Sequence, residues 1–330
     1  MKTKILKINQ IDEAVDLLKN GELVALPTET VYGLAADARN EIAIQKIFDA
    51  KGRPQDHPLI LHIDSYKKLD DWTQNVSTYA QKLAEHFWPG PLTIVLNKNN
   101  NVGDIITGGL KTIAIRVPGH PIILEVIKKL GNGIVAPSAN AHKRISPTKS
   151  MHVLKTLDGK ISAILEGGMS SIGIESTIID MTKDVPSILR YGAITKEMLE
   201  EVMQLEIKCP INHNEKVSGN MKNHYQPERP LFLISTDQIE SLSSKEGYSA
   251  IMHYSNISKK DGFAYYQMSQ DKEQYAKHLY SVLHDIDSIG VDKIFVEKPP
   301  ELVEWRDVND RLLKASVKSY YIKPIYSSSP

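Results

Sequence analysis

GELVALPTETVYGLAADA, residues 21–38, is the stretch whose reading decides the fold. Leu23 to Leu26 form a short apolar run of strand length. Pro27 lacks the N–H that would continue a ladder. Thr28, Glu29, Thr30 and Tyr32 then bring hydroxyls, a carboxylate and a phenol to the strand's end. Gly33 is expected to permit a tight bend that presents these groups with no side chain in the way. Ligands of open α/β sheets bind beyond strand ends, so this stretch reads as a strand delivering a site.

Both flanks of the stretch read as helices. Upstream, Ile11, Ala14, Val15 and Leu18 fall at i, i+3, i+4 and i+7, so residues 10–20 are helical and Gly21 stops them. Downstream, a helix begins near Asn40, buries Ala43, Ile44, Ile47 and Phe48, and ends at Lys51-Gly52-Arg53-Pro54. Further strand candidates are PLILHI, PLTIVL, TIAIRVP, NGIVAPSAN, SAILEGG, STIIDM and SILRY. Strands outnumber the helices between them, which predicts a twisted, open, mixed sheet with helices.

After about residue 205 the pattern changes. Residues 207–230, IKCPINHNEKVSGNMKNHYQPERP, hold little periodic apolar sequence and read as a linker. LFLIS, YSAIMHY, the helical run 271–290, DKIFVEKPP and a helix around NDRLLKAS then make a smaller α/β unit of Rossmann-like type. The expected organisation is a catalytic domain over 1–205, a linker that closes as a lid over 206–230, and a C-terminal domain over 231–330. The Ser-Ser-Ser-Pro end is expected to fray.

Composition narrows the function classes. Lys+Arg and Asp+Glu each number 40, so the formal net charge is zero and nothing global marks a nucleic-acid coat or a membrane-surface protein. The single cysteine, Cys209, excludes an intrachain disulfide and Cys-rich zinc modules, and suits a reducing cytoplasm. Residues 1–18 contain no continuous apolar segment of the secretory type, and no stretch reaches membrane-spanning length.

Polar residues gather at four further strand ends. KGRPQDHPLILHI sets Lys51 and Arg53 one residue apart, a pair that an anion such as phosphate or carboxylate would hold together, and places His62 opposite in facing to Leu59, Leu61 and Ile63. In TIAIRVPGHP, period two puts Thr112, Ala114 and Arg116 on one face, with the small alanine leaving space above the sheet. IVAPSANAHKRISPT runs into Ser138, Asn140 and Ser146 between prolines. GGMSSIGIESTIID brings a glycine-rich bend to Glu175, Ser176 and Thr177, and SILRYGAIT ends a strand on Arg190. Each has a plain structural reading by itself: a solvated Lys-x-Arg, a satisfied core histidine, a solvated strand face. No GxxxxGK[ST], GxGxxG or HExxH is present, so a nucleotide would not be held by a standard phosphate loop.

Together these segments resemble the YrdC-like family of threonylcarbamoyl-AMP synthases in its long, two-domain form. PTETVYGL, KGRP with HPLILHI, WPGPLTIVL, AIRVPGHP, APSAN, GIESTIID and LRYGAIT follow in the family's order across residues 21–195. Lys51-x-Arg53 and Ser138-x-Asn140 match its KxR and SxN signatures, SGNMKNHYQP resembles its linker and NDRLLKAS a motif of its second domain. Three departures stand out. His142-Lys143 replace a usual Ser-Gly, Ser218 a proline before Gly219, and Tyr191 a proline after Arg190.

The resemblance implies a nucleotidyltransferase that makes L-threonylcarbamoyl-AMP from L-threonine, bicarbonate and ATP, releasing pyrophosphate. A separate transferase would pass the threonylcarbamoyl group to tRNA. It further implies that Thr30, His62, Arg116, Ala136 and Ser176 bind threonine, with Arg116 on its carboxylate. Arg53, His57, Thr112, Ser138, Asn140, Ser146, Arg190 and Tyr225 would bind ATP, and Lys51 and Arg53 would act in catalysis. Mg²⁺ is expected with ATP; Glu29 or Glu175 would hold it through water or serve as structural hydrogen-bond acceptors, and Tyr32 is a weaker site candidate. Two rival readings meet obstacles. An RNA-binding module lacks the basic balance that phosphate binding needs, and a carbamoyl-transfer maturation factor would carry zinc-binding cysteine pairs.

Overall fold

The computed structural model describes residues 2–209, 224–243 and 247–317. Two sheets organise them. The larger holds β1 (Lys4–Leu6), β2 (Val24–Leu26), β3 (Gly33–Asp37), β4 (Ile60–His62), β5 (Leu92–Asn97), β6 (Thr112–Arg116), β7 (Ile134–Val135), β8 (Ala163–Leu165), β9 (Thr177–Asp180) and β10 (Ser187–Arg190). Its order is β1-β8-β2-β3-β7-β4-β6-β5-β9-β10, mixed in direction, as the surplus of strands over helices predicts.

Alternation along the strands divides the apolar side chains between two faces. Val24, Leu26, Ala35 and Leu165 pack with α1 (Ile11–Lys19) and α5 (Pro121–Leu130). Ala25, Leu34, Ala36 and Ile164 belong to the core that includes α2 (Glu41–Lys51), α3 (Thr78–Phe87), α6 (Ser150–Leu157) and α7 (Lys196–Met203), with α4 (Asp104–Thr107) at its rim. Helix α1 buries Ile11, Ala14, Val15 and Leu18 as its spacing predicts. Each large aliphatic side chain so buried is worth about 1.5–3 kcal/mol. The Asn40 side chain caps α2 by accepting from the Ala43 N–H, and Gly52, at φ 62°, ends it in the left-handed conformation.

The opening stretch differs from its sequence reading in one respect. Gly33 is the first residue of β3, paired antiparallel with β2, and the bend lies in residues 28–32. What residue 33 requires is closeness: a Cβ there would come within 3.1 Å of the Ala136 Cβ. Thr28 builds the bend, its hydroxyl donating to the Val31 carbonyl and accepting from the Val31 N–H.

The smaller sheet is parallel, order β11-β14-β12-β13: β11 (Leu231–Ile234), β12 (Ser249–His253), β13 (Phe263–Gln267) and β14 (Lys293–Glu297). Helices α8 (Thr236–Ser241), α9 (Lys272–Ser288) and α10 (Arg306–Ala315) complete this unit. Strand β13 and helix α8 escaped the sequence reading because neither has a long periodic run. Of the linker, residues 210–223 lie outside the described residues, as does the C-terminal Ser-Ser-Ser-Pro. Residues 207–209 extend the first unit, since Lys208 bridges to Ser187. Among the described residues no helix is long and apolar enough to cross a membrane.

The two units meet along α9. A Cβ on Gly173, at φ 84°, would lie 2.4 Å from the Lys277 carbonyl, so only glycine lets this loop touch the helix backbone. Beside it, His152 of α6 stacks on His284 of α9, ring centroids 4.0 Å apart. The His284 Nε2 donates to the Ser146 carbonyl at 3.2 Å. Burial, with Lys149 and Lys155 nearby, lowers His152 to about 4, and burial followed by His152 lowers His284 to about 3.

Both rings are therefore neutral when folded, whereas the unfolded chain takes up protons below about pH 6.5. Stability falls as pH drops through the interval from 6.5 towards 4, by about 1.4 kcal/mol per pH unit for each proton that only the unfolded state binds. Thermal melts across this interval check the expectation. His284→Phe, which keeps a ring but cannot titrate, should flatten the dependence.

Candidate active site

Strands β4 and β6 run parallel with His62 opposite Arg116, so strand pairing alone brings imidazole and guanidinium to one end of the sheet. They help to line a cavity of about 40 Å³ whose walls also include Thr30, Ala136, Ser138, Ser176, Arg190 and Tyr225. All five side chains assigned to threonine by resemblance are in this lining.

Three contacts hold Arg116. Its Nε donates to the Gly90 carbonyl at 3.0 Å and one terminal nitrogen to the Thr30 hydroxyl at 2.9 Å. The other terminal nitrogen lies 2.6 Å from Glu29 Oε1, close but not aligned as a hydrogen bond. The guanidinium thus keeps an N–H for another carboxylate. His62 Nδ1 lies 3.2 Å from the Ile60 carbonyl, an oxygen that can only accept. The proton is therefore on Nδ1, and Nε2 is an acceptor. Burial, then the Arg116 charge, lowers the imidazole to about 3, so it is neutral at physiological pH.

Ser176 joins the two ends of the cavity. Its hydroxyl is 2.7 Å from that of Thr93, and Arg190 donates to both its hydroxyl and its carbonyl at 2.9 Å. On the nucleotide side, Ser138, Arg190 and Tyr225 reach the cavity, whereas Lys51, Arg53, His57, Thr112, Asn140 and Ser146 are outside its lining. Thr112 is half-buried, and its neighbour Ala114 packs against a cluster of Ile60, Val95, Ile178 and Leu189. The space foreseen above Ala114 is therefore partly filled.

Lys51 is buried, and its ammonium donates to the Ser138 and Asn140 carbonyls at 2.5 Å each. It shapes the Ser-x-Asn loop from behind. Burial, then the Arg53 charge, lowers its pKa. Arg53 donates to the Pro58 carbonyl at 3.0 Å, and its buried Nε has no hydrogen-bond partner. Burial brings this guanidinium down to about 10, still charged at neutral pH. The side-chain Oδ1 of Asn140 and the Tyr225 hydroxyl are also buried without hydrogen-bond partners. Such polar atoms are costly unless a ligand or water meets them.

A family profile described as "Telomere recombination" matches residues 16–192, and one described as "Threonylcarbamoyl-AMP synthase, C-terminal domain" matches residues 194–317. The threonylcarbamoyl-AMP synthase of Bacillus subtilis is 39% identical over 321 residues, covering 93% of each chain. That of Pyrococcus abyssi is 39% identical over 317 residues, covering 92% of this chain and 93% of the relative. The chain belongs to the threonylcarbamoyl-AMP synthase family. A crystal structure of P. abyssi Sua5 complexed with L-threonine superposes with a TM-score of 0.88 at 37% identity, covering 96% of this chain and 98% of that one.

Within the synthase family, this chain's departures have visible consequences. His142, in place of the usual Ser-Gly, stands 5.5 Å from His57 and 6.5 Å from His224, ring centre to ring centre. Burial, then the cations Arg53 and Lys51 with His57 and Lys143, lowers His142 to about 4. Tyr191 accepts from Arg311 at 2.9 Å through its main-chain carbonyl, a contact that proline at this position would keep. Ser218 lies outside the described residues.

Two of the weaker candidates, Tyr32 and Glu175, make hydrogen bonds within the protein. Tyr32 pins the glycine-rich bend, donating to the Gly168 carbonyl at 2.8 Å and accepting from the Gly167 N–H. Glu175 accepts from the Ser146 hydroxyl at 2.5 Å on one oxygen, and from Tyr280 and Arg311 on the other. Glu29 lies against Arg116, and both of its carboxylate oxygens are buried without a hydrogen-bond partner. Among the described residues no three His, Cys, Asp or Glu side chains gather to hold a metal.

His224, Thr93 and Arg311 were missed by sequence reasoning. Thr93 lies in WPGPLTIVL, His224 in SGNMKNHYQP and Arg311 in NDRLLKAS, but the reach of Arg311 into the other unit is a tertiary fact.

Arg116→Ala is expected to weaken threonine binding far more than ATP binding. A charge-assisted contact to a carboxylate is worth about 1.5–3 kcal/mol. That corresponds to roughly ten- to hundredfold in affinity. Calorimetric titration of each substrate, on variants whose melts show them folded, checks the split.

Proposed function

We propose that this chain is a nucleotidyltransferase that synthesises L-threonylcarbamoyl-AMP from L-threonine, bicarbonate and ATP, releasing pyrophosphate. One observation carries the reading. Two buried cations, Arg116 and Arg190, line the cavity with the carboxylate Glu175, while three more, Lys51, Arg53 and Arg311, are buried next to lining residues and a second carboxylate, Glu29, lies against Arg116. Such an excess of positive charge suits anionic reactants: an amino-acid carboxylate, a carbamate and a triphosphate.

On this reading the threonine carboxylate joins Arg116, with the Thr30 hydroxyl beside it. The neutral His62 Nε2 accepts a hydrogen bond from the amino acid, and Ala136 and Ser176 bound its side chain. The threonine amine forms a C–N bond to bicarbonate with loss of water, or to carbon dioxide with loss of a proton, to give a carbamate. A carbamate oxygen then attacks the α-phosphorus of ATP; the new O–P bond forms as the bond to the β-phosphate oxygen breaks, and pyrophosphate leaves. Placement and charge neutralisation carry this chemistry, without a covalent nucleophile from the protein.

Ser138, Asn140, Ser146, Arg190, His57, Thr112 and Tyr225 form the nucleotide side, and Arg53 offers its unpartnered Nε to the phosphates. Lys51 serves by holding the Ser138–Asn140 loop. Mg²⁺ enters as the counter-ion of the nucleotide. The described end of the linker, His224 and Tyr225, closes the nucleotide side of the cavity. Downstream, a transferase that modifies tRNA consumes the product, and the cytoplasm supplies both ATP and tRNA.

The test is to incubate the protein with ATP, labelled bicarbonate and either threonine or serine, and to measure the carbamoyl-adenylate by mass together with released pyrophosphate. Product with threonine is expected; no adenylate under any condition would sink the proposal. Lys51→Ala and Arg53→Ala should depress adenylate formation strongly, at least about tenfold each. Near-normal rates in folded variants would remove these residues from the mechanism.

A further inference from the structure

Helix α10 of the smaller unit carries a cation that the larger unit buries. The Arg311 side chain has 0% exposure. Its Nε donates to Glu175 Oε2 at 2.8 Å, one terminal nitrogen to the Tyr191 carbonyl at 2.9 Å, and the other to Asp310 at 2.7 Å. Its guanidinium carbon lies 5.2 Å from the centre of the Tyr225 ring. A guanidinium out of water is tolerated only where such partners are well placed. Two of these partners, Glu175 and Tyr191, belong to the other unit.

Glu175 relays the contact inwards. Its Oε2 also accepts from the Tyr280 hydroxyl at 3.0 Å, and its Oε1 accepts from the Ser146 hydroxyl at 2.5 Å. Tyr280 in turn stacks on Tyr225, centroids 5.8 Å apart. Burial by itself would raise the Glu175 carboxyl, but the Arg311 and Arg190 charges and the Ser146 bond hold it at about 2. The carboxylate is therefore charged, with the Ser146 hydroxyl on one oxygen and Arg311 on the other. Tyr225 has φ 62°, a conformation that a non-glycine residue holds only where its surroundings enforce it. Here the ring is set between groups from α9 and α10.

We propose that Arg311 is a positioning residue for the nucleotide, fixing the Ser146 hydroxyl through Glu175 and fixing Tyr225 by direct contact with its ring. The smaller unit then completes the nucleotide side of a site that the larger unit and the linker residues His224 and Tyr225 otherwise build. This rests on the proposed assignment of Ser146 and Tyr225 to ATP.

The test uses the full-length chain and steady-state KM values for ATP and for threonine in four variants: Arg311→Met, Arg311→Lys, Ser146→Ala and Arg311→Met with Ser146→Ala. Arg311→Met should raise the ATP KM at least about tenfold and the threonine KM less than about threefold. Arg311→Lys, which keeps the charge without the fork, should fall between wild type and Arg311→Met. The double variant should be worse than Arg311→Met by less than about threefold, because the two residues act along one route. Equal loss for both substrates, fully additive losses, or an unchanged ATP KM would each overturn the proposal. If Arg311→Met fails to fold, Arg311→Lys carries the same comparison, alone and combined with Ser146→Ala. An unchanged ATP KM in Ser146→Ala would instead overturn the assignment of Ser146, and with it the route through Glu175.

Discussion

Pairing buried cations is the constraint on which the rest of this structure depends. Lys51, Arg53, Arg116, Arg190 and Arg311 are all buried. None could be so in apolar surroundings without acceptors. Main-chain carbonyls supply many of them: Ser138 and Asn140 to Lys51, Pro58 to Arg53, Gly90 to Arg116, Ser176 to Arg190 and Tyr191 to Arg311. Carbonyls satisfy hydrogen bonds but cancel little charge. The site is thus rigidly held and still electropositive, which is what a pocket for several anionic groups requires.

The mixed sheet makes this arrangement possible. Parallel pairing of β4 with β6 aligns His62 and Arg116, while the antiparallel neighbours β3 and β7 bring in the turn after β2 and the Ala-Pro-Ser-Ala-Asn loop. Gly33 and Ala136 are both small because the two chains pass so closely there. A larger side chain at either position would push the loops apart and take the Ser138 and Thr30 groups with them. The second unit contributes from outside the sheet, through α9 and α10, and its contacts fall on His152, Ser146, Tyr191 and the glycine-rich bend that carries Glu175 and Ser176.

Histidine chemistry follows from the same burial. His62, His142, His152, His224 and His284 are all pushed below the ordinary imidazole value, with burial the largest cause in each. Neutral rings beside fixed cations serve as hydrogen-bonding and packing groups, and they leave the charge of the site to lysine and arginine.

What the sequence by itself determined was whatever depends on near neighbours in the chain. Apolar spacing marked α1 and α2 with their buried faces, proline and glycine marked their ends, and period two placed Ile113, Ile115 and Val117 opposite Arg116. The ordered motifs between residues 21 and 195 identified the family, and the resemblance named five residues that the structure gathers in one cavity. Short strands such as β1, β3 and β13 escaped because three to five residues carry too little pattern to stand out from a loop. Only the tertiary structure decided which cations face the cavity and which brace it, since that depends on where distant carbonyls and carboxylates come to rest. Lys51 and Arg53 are one residue apart, yet the lysine points to the Ser138–Asn140 loop while the arginine keeps an unpartnered N–H. The meeting of Arg311 with Glu175, 136 positions apart in the chain, follows from the packing of α10 against the first unit, and no local pattern encodes it.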